Sequence, residues 1–114
     1  MNNATIAREF YTAMGNKDIA AIALHVHPDI QWASPMGKSS GKDAYLESVK
    51  GFMNFFKTLT IRAACGSEDH AMIAYNLEFP APIGLVPTAA LMTFKDCLIS
   101  NIELLYDARP FEPK

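Results

Sequence analysis

Apolar positions in the first part of the chain recur every three or four residues, which is the period of an amphipathic α-helix. A first helix carries one such stripe, formed by Ile6, Phe10 and Met14. A second, short helix begins after Asp18 as its cap, and its stripe is Ile19, Ile22, Ala23 and Val26. Pro28 is expected to end this helix, because the residue before a proline is pushed out of the helical region.

A short strand and a long helix are predicted next. The stretch 30–37, IQWASPMG, has the character of a strand that runs into a turn. Ser40-Gly41-Lys42-Asp43 resembles a capping box with an aspartate at its fourth position, which predicts the start of a third and longer helix. One face of this helix is apolar and consists of Tyr45, Val49, Phe52 and Phe56.

From Leu59 onward the hydrophobic period changes to two, which predicts strands. LTIRAAC, AMIAYNLEF, LVPTAALMTF and CLISNIELLYD are four strands in succession, and Lys95-Asp96 is the turn of the last hairpin. In the second of them, one face carries Ile73, Tyr75, Leu77 and Phe79. Three helices and about five strands predict one α+β domain over residues 1–114, with helices on one face of a curved antiparallel sheet.

Composition excludes several classes of function. The 114 residues suit one domain, and the net charge is −2 with ten scattered Lys and Arg, so no basic stripe exists for nucleic acid. No secretion signal is visible at the N-terminus, and no apolar run approaches the ~20 residues of a membrane span. Cys65 and Cys97 are isolated, which favours buried, reduced thiols in a cytoplasmic protein. The sequence gives no ground for a cofactor.

The order of these elements resembles the nuclear transport factor 2-like superfamily over about residues 5–107. The features that carry the likeness are a short helix ending HPDI, a strand ending SPMG, a long helix, and a meander ending YD. SnoaL-like polyketide cyclases and ketosteroid isomerase-like proteins are the most similar branches. The resemblance implies a cystatin-like cone, in which the sheet wraps around the long helix and leaves an apolar pocket. It also implies a homodimer formed through the outer face of the sheet.

The resemblance also assigns positions to the catalytic groups of those branches. In the isomerase branch a tyrosine and a protonated aspartic acid stabilise an enolate, and an aspartate before a proline moves the proton. These positions fall on Phe10, Ala90 and Ser34, so all three groups would be missing. In SnoaL-like relatives an acid on the last strand acts instead, and its position falls on Leu104. A shift of one residue in this strand would turn Glu103 inward.

Two residues are candidates for chemistry, and each has a structural alternative. Ser34 could bind a ligand carbonyl or activate water, whereas Ser34-Pro35 is also typical of a turn. His25, at the margin of the second helix, could act as a general acid or base near neutral pH. A histidine hydrogen-bonded at a helix end is the simpler alternative. No metal site is expected at His25, His27 and Asp29, since their spacing does not direct them to one point.

The predicted pocket walls come from inward positions of the helices and strands. Trp32 could stack on a flat ligand or serve as a packed plug, and the tyrosine hydroxyls could bind polar ligand atoms. The predicted walls are Phe10, Met14, Trp32, Ser34, Tyr75, Leu77, Phe79, Ala90, Met92, Ile102, Leu104 and Tyr106.

Three functional hypotheses follow from this pocket. The first is an isomerase- or cyclase-like enzyme that acts by proton transfer on a small hydrophobic or cyclic carbonyl compound. The second is a module that binds a small hydrophobic molecule without changing it. The third is a dimeric interaction module that uses the outer face of the sheet.

Overall fold

The computed structural model describes residues 2–111, which contain three α-helices, six strands and a 3-10 helix. The elements are α1 (Asn3–Gly15), α2 (Ile19–Ala23), β1 (Val26–Ser34), β2 (Gly37–Ser40), α3 (Lys42–Met53), β3 (Thr58–Gly66), β4 (His70–Glu78), β5 (Leu85–Lys95), β6 (Leu98–Leu105) and the 3-10 helix Arg109–Phe111. The predicted α+β class is confirmed, with one strand more than predicted. None of the helices between residues 2 and 111 has the length and apolar character that a membrane crossing requires.

All six strands form one curved sheet in the order β2-β1-β6-β5-β4-β3. The meander from β3 to β6 is antiparallel, but β1 runs parallel to β6. The prediction of an antiparallel sheet was therefore wrong for this pair. Parallel neighbours need a long connection, and α3 together with β3, β4 and β5 supplies it between β1 and β6.

The helices cover one face of the sheet, and the core lies between the two layers. Along β4 the buried residues alternate with more exposed ones, as predicted, so that Ile73, Tyr75 and Leu77 point into the core. α1 packs against β3 and β4, whereas α3 packs against β1 and β2. α1 has 13 residues and α3 has 12, and both helices pack on the sheet.

The predicted second helix is too long at its C-terminal end. α2 ends at Ala23, and Val26 and Pro28 both belong to β1. Val26 is almost fully buried and pairs with Ile99 of β6, so tertiary pairing overrides the local helical pattern. The pairing of β1 with β6 is irregular between Val26 and Gln31, and a proline is tolerated at such an interruption because the ladder needs no N–H there.

Two further details of the sequence interpretation are corrected. α3 begins after Gly41, whose φ is 97°, and no side chain caps the helix, so the predicted capping box does not form. The preceding residues form β2 instead, which pairs with β1 as a hairpin. The cysteines are both exposed and not buried, because Cys65 lies on β3 and Cys97 lies in the β5–β6 turn beside Asp96.

Candidate functional site

A cavity of about 370 Å³ opens on the helix-covered face of the sheet. Its helical wall follows the period of each helix, with Tyr11 and Met14 one turn apart on α1. On α3 the same period directs four residues to the cavity, namely Tyr45, Ser48, Val49 and Phe52. The stripe that predicted α3 therefore supplies Tyr45, Val49 and Phe52 to the cavity wall, whereas the stripe of α1 supplies Met14.

The strand wall of the cavity follows the period of two. β4 contributes Tyr75 and Leu77, which pair across the ladder with Thr88 and Val86 of β5. β6 contributes Ile102 and Leu104, and Glu103 between them is exposed. The register of β6 thus directs a leucine, and not a carboxylate, into the cavity.

Aromatic rings surround the cavity in two groups. Around Tyr45, the ring of Trp32 stands edge-on at 5.0 Å, and Phe10 stacks at 6.5 Å. At the other end, Phe79 packs against Phe55 at 5.0 Å and edge-on against Phe111 at 5.1 Å. Phe55 and Met36 line the cavity although they are 46% and 61% exposed, so they mark its mouth.

Three tyrosines of the lining, Tyr11, Tyr45 and Tyr75, are buried, and burial raises their pKa values further above neutral pH. Burial raises the pKa of Tyr11, and a weaker opposing effect comes from its hydrogen bond with Tyr75. Burial also raises the pKa values of Tyr45 and Tyr75 well above the usual range, with repulsion from Tyr11 as the next cause. All three phenols are therefore neutral at physiological pH and present O–H groups that donate hydrogen bonds.

Ser34 lies in the cavity wall and also in the turn that follows β1. Its hydroxyl oxygen accepts a hydrogen bond from the Met36 N–H at 3.1 Å, and its O–H donates to the Gly37 carbonyl at 3.5 Å. The turn that the sequence offered as an alternative is therefore present, and a role of Ser34 towards a ligand stays a prediction. Because the turn already engages this hydroxyl, Ser34 has limited capacity to act as a nucleophile.

His25 lies outside the residues that line the cavity. Its Nε2 is 3.8 Å from a carboxylate oxygen of Glu9 on α1. Its backbone N–H donates to Ile22, and its carbonyl accepts from Ile99, which ties the end of α2 to β6. These contacts describe a histidine that joins elements of the fold, and its proposed acid-base role stays a prediction.

The other predicted wall residues divide into two groups. Those in the lining are Met14, Trp32, Tyr75, Leu77, Phe79, Ile102, Leu104 and Tyr106. Phe10, Ala90 and Met92 are instead fully buried in the core and do not line the cavity. Alternation along a strand predicts the face on which a side chain lies, but not how far along that face the cavity extends.

Several lining residues were not predicted as pocket walls. Tyr11 is the clearest example, because the resemblance to the isomerase branch assigned the tyrosine position to its neighbour Phe10. One residue along a helix turns the side chain by about 100°. Val86 and Thr88 carried a usable signal in the alternation of β5. Phe111 carried none, since it lies beyond the last predicted strand.

Comparison with solved structures defines the class of protein. A protein from Kribbella flavida DSM 17836 shares 24% identity, with a TM-score of 0.88 over 95% of this chain and 88% of the other. An NTF2-like protein of unknown function from Cytophaga hutchinsonii shares 18% identity, with a TM-score of 0.81 over 93% of this chain and 91% of the other. A candidate ketosteroid isomerase from Kribbella flavida shares 16% identity, with a TM-score of 0.79 over 97% of this chain and 81% of the other. At these identities the likeness establishes the fold, which is NTF2-like.

The sequence profile of the SnoaL-like domain matches residues 7–102, which is most of the chain. The protein therefore belongs to the SnoaL-like family, as the sequence resemblance indicated. None of the proteins with curated descriptions shows significant sequence similarity to it.

Proposed function

We propose that the chain binds a small, neutral, largely apolar compound in the cavity, and that a cyclic carbonyl compound suits it best. The observation that carries the proposal is the chemistry of the lining. Aromatic and aliphatic side chains form most of it, and its polar side-chain groups are hydroxyls and the indole N–H of Trp32. Its volume of about 370 Å³ falls at the lower end of the roughly 300–1,000 Å³ of small-molecule sites, which favours a compact ligand.

The hydroxyls favour a neutral ligand with an oxygen that accepts hydrogen bonds. Tyr11 and Tyr45 line the cavity with phenol O–H groups, whereas the O–H of Thr88 already donates to the Val86 carbonyl at 3.3 Å. Within residues 2–111, the ionisable side chains of the lining are tyrosines, three of which burial keeps protonated. A charged ligand would lose its hydration without gaining an opposite charge from these residues, and such a loss is costly.

The proposal is tested with three compounds of the same shape, namely β-tetralone, the hydrocarbon tetralin and a tetralin carboxylate. Isothermal titration is expected to show β-tetralone binding about fivefold more tightly than tetralin, the effect of about one net hydrogen bond. The carboxylate is expected to bind most weakly. Tyr11→Phe and Tyr45→Phe should reduce the preference for the ketone, whereas the exposed variant Lys50→Gln should not. Equal affinity for the three compounds would contradict the proposal.

A second candidate function is proton transfer next to the ligand carbonyl, of the isomerase or cyclase type. It is supported by family membership and by the neutral tyrosines, which can polarise a carbonyl and stabilise an enolate. Deuterium exchange of the acidic protons of β-tetralone in D₂O, followed by NMR, tests it. If the protein accelerates this exchange and Tyr11→Phe abolishes the acceleration, catalysis is supported. If His25→Ala abolishes it, His25 takes part in the reaction. Binding without any acceleration would leave a binding module.

We also propose that the chain forms a homodimer through the outer face of the sheet. A shallow apolar surface lies there, formed in part by Ala63, Met72, Ala74 and Ala89. The small side chains of the three alanines permit close approach of a second sheet. Light scattering after gel filtration is expected to show a dimer that Ala74→Glu converts to a monomer. Leu24→Glu, at an exposed position after α2, is the matched control and should leave the dimer intact.

A further inference from the structure

The end of the described chain brings one aromatic side chain to the mouth of the cavity. β6 ends at Leu105, and the chain then turns into the 3-10 helix Arg109–Phe111. Phe111 lines the cavity and packs edge-on against Phe79 at 5.1 Å and against Tyr106 at 5.7 Å. It also approaches Phe55, which is among the exposed residues of the mouth. We call residues 107–111 the latch.

Asp107 and Arg109 give the latch its shape. The carboxylate of Asp107 accepts a hydrogen bond from the backbone N–H of Arg109 at 3.0 Å. It also accepts from the guanidinium, at 2.9 Å from Nε and 2.6 Å from Nη2. A carboxylate that binds the backbone two residues further on fixes a tight turn, and the fork of an arginine adds a defined geometry. The direction in which the chain leaves β6 is thereby set.

Few interactions tie the latch to the rest of the fold. Within the described part of the chain, its hydrogen bonds are internal, including the one from the Phe111 N–H to the Ala108 carbonyl. The side chains of Asp107 and Arg109 are 49% and 84% exposed. The packing of Phe111 is therefore the main contact that keeps the latch in place. Segments held by so few contacts open locally at a small cost in free energy.

We propose that the latch gates the cavity, with Asp107 and Arg109 as positioning residues that hold Phe111 across the mouth. A ligand enters and leaves when the latch swings outward, and the closed position of Phe111 limits how far a bound ligand extends. The nature of the ligand rests on the function proposed above. The movement itself does not, because access to the cavity can be measured without any ligand.

Trp32 reports on that access, since it is the only tryptophan of the chain and lines the cavity. Quenching of its fluorescence by acrylamide, a small neutral probe, is expected to rise about twofold in Arg109→Gln and further in Phe111→Ala. Lys50→Gln breaks another exposed ion pair, Glu47–Lys50, and should leave quenching unchanged. Added NaCl should raise quenching in the unmodified chain and have little effect in Arg109→Gln, because salt screens an exposed pair. Equal quenching in all four proteins would overturn the gate.

A kinetic measurement separates the gate from the binding proposal. Stopped-flow release of β-tetralone is expected to be about twofold faster in Arg109→Gln, with little change in Kd, because a gate alters entry and exit together. Thermal stability should stay the same in this variant, which a general structural defect would not allow. If β-tetralone binds but neither its release nor Trp32 quenching responds to these variants, the gate is wrong and the binding proposal stands. If quenching responds but β-tetralone does not bind, the gate stands and the binding proposal is wrong.

Discussion

Replacing Gly66 by alanine is expected to destabilise the fold, because Gly66 lies where β3 meets the start of α1. A β-carbon added there would be 3.0 Å from the backbone nitrogen of Ala4 and 3.4 Å from the carbonyl oxygen of His70. Both neighbours are backbone atoms, so no change of side-chain rotamer relieves the contact. Either α1 or the β3–β4 turn has to move by a few tenths of an ångström.

Such a movement is resisted by contacts on both sides of the clash. The side-chain amide of Asn3 donates to the carbonyls of Ser67 and Glu68, at 3.0 Å each, and so holds α1 on the turn. Overpacking of this kind typically costs about 1–3 kcal/mol. Since each kcal/mol lowers the Tm of a small domain by about 4–8 °C, we expect a loss of at least about 4 °C.

The assays are thermal unfolding and urea unfolding, both followed by circular dichroism and by the fluorescence of Trp32. Gly51→Ala is the control, because Gly51 lies inside α3 and a β-carbon there meets no atom within 4 Å. This variant should be more stable by roughly 0.5–1 kcal/mol, the usual gain of alanine over glycine in a helix. Gly66→Ala is therefore expected to lower the free energy of unfolding, and Gly51→Ala to raise it. An unchanged or higher urea midpoint for Gly66→Ala would refute the close approach of α1 and β3.

Three further predictions concern charge in and around the cavity. Leu104→Glu would place a carboxyl in the apolar cavity, where burial raises its pKa above that of the unfolded chain. The free energy of unfolding of this variant should therefore fall as the pH rises from about 4 to 8. Urea unfolding measures the fall, with the exposed variant Leu105→Glu as the control. The buried phenols of Tyr11, Tyr45 and Tyr75 have raised pKa values, so they stabilise the fold below pH 10. Stability should fall above pH 10, where only the unfolded chain loses these protons, and absorbance at about 295 nm should show tyrosinate appearing together with unfolding. The Arg109 guanidinium lowers the pKa of Asp107 to about 2, so the difference in Trp32 quenching between Asp107→Asn and the unmodified chain should persist at neutral pH and vanish as the pH falls towards 2.

The elements that sequence predicted well are those whose hydrophobic period is unbroken. α1 repeats its apolar positions over 13 residues, and β4 alternates over nine, so both the element and its inward face followed from the pattern. β2 could not be found in this way, since all four of its residues are exposed and none marks an inward face. Pro28 misled for a different reason, because the rule that it ends a helix is local and the pairing of β1 with β6 is not.

The cavity was harder to predict than the fold because its extent depends on how far the packed core continues along each element. Phe10 and Tyr11 are adjacent on α1, yet only Tyr11 lines the cavity. On β5, Val86 and Thr88 line it while Ala90 and Met92, on the same face, belong to the core. Hydrophobic periodicity does not indicate the position along a helix or strand at which the packed core ends and the cavity begins. Phe111 is a further case, since its place depends on the turn made by Asp107 and Arg109 and on no repeating pattern.

The distribution of ionisable groups connects the fold with the function we propose. A carboxyl group inside an apolar cavity can serve as a general base when ionised or as a general acid when protonated, but burial of its charged form costs free energy that the rest of the fold has to offset. This chain directs Leu104 inward and Glu103 outward, and its buried phenols avoid that cost because they stay neutral. Neutral donors hold a carbonyl oxygen well and move protons poorly near pH 7, since their pKa values lie far above it. The neutrality of the lining, which limits the cost of burying its polar groups, therefore agrees with the ligand-binding function that we propose.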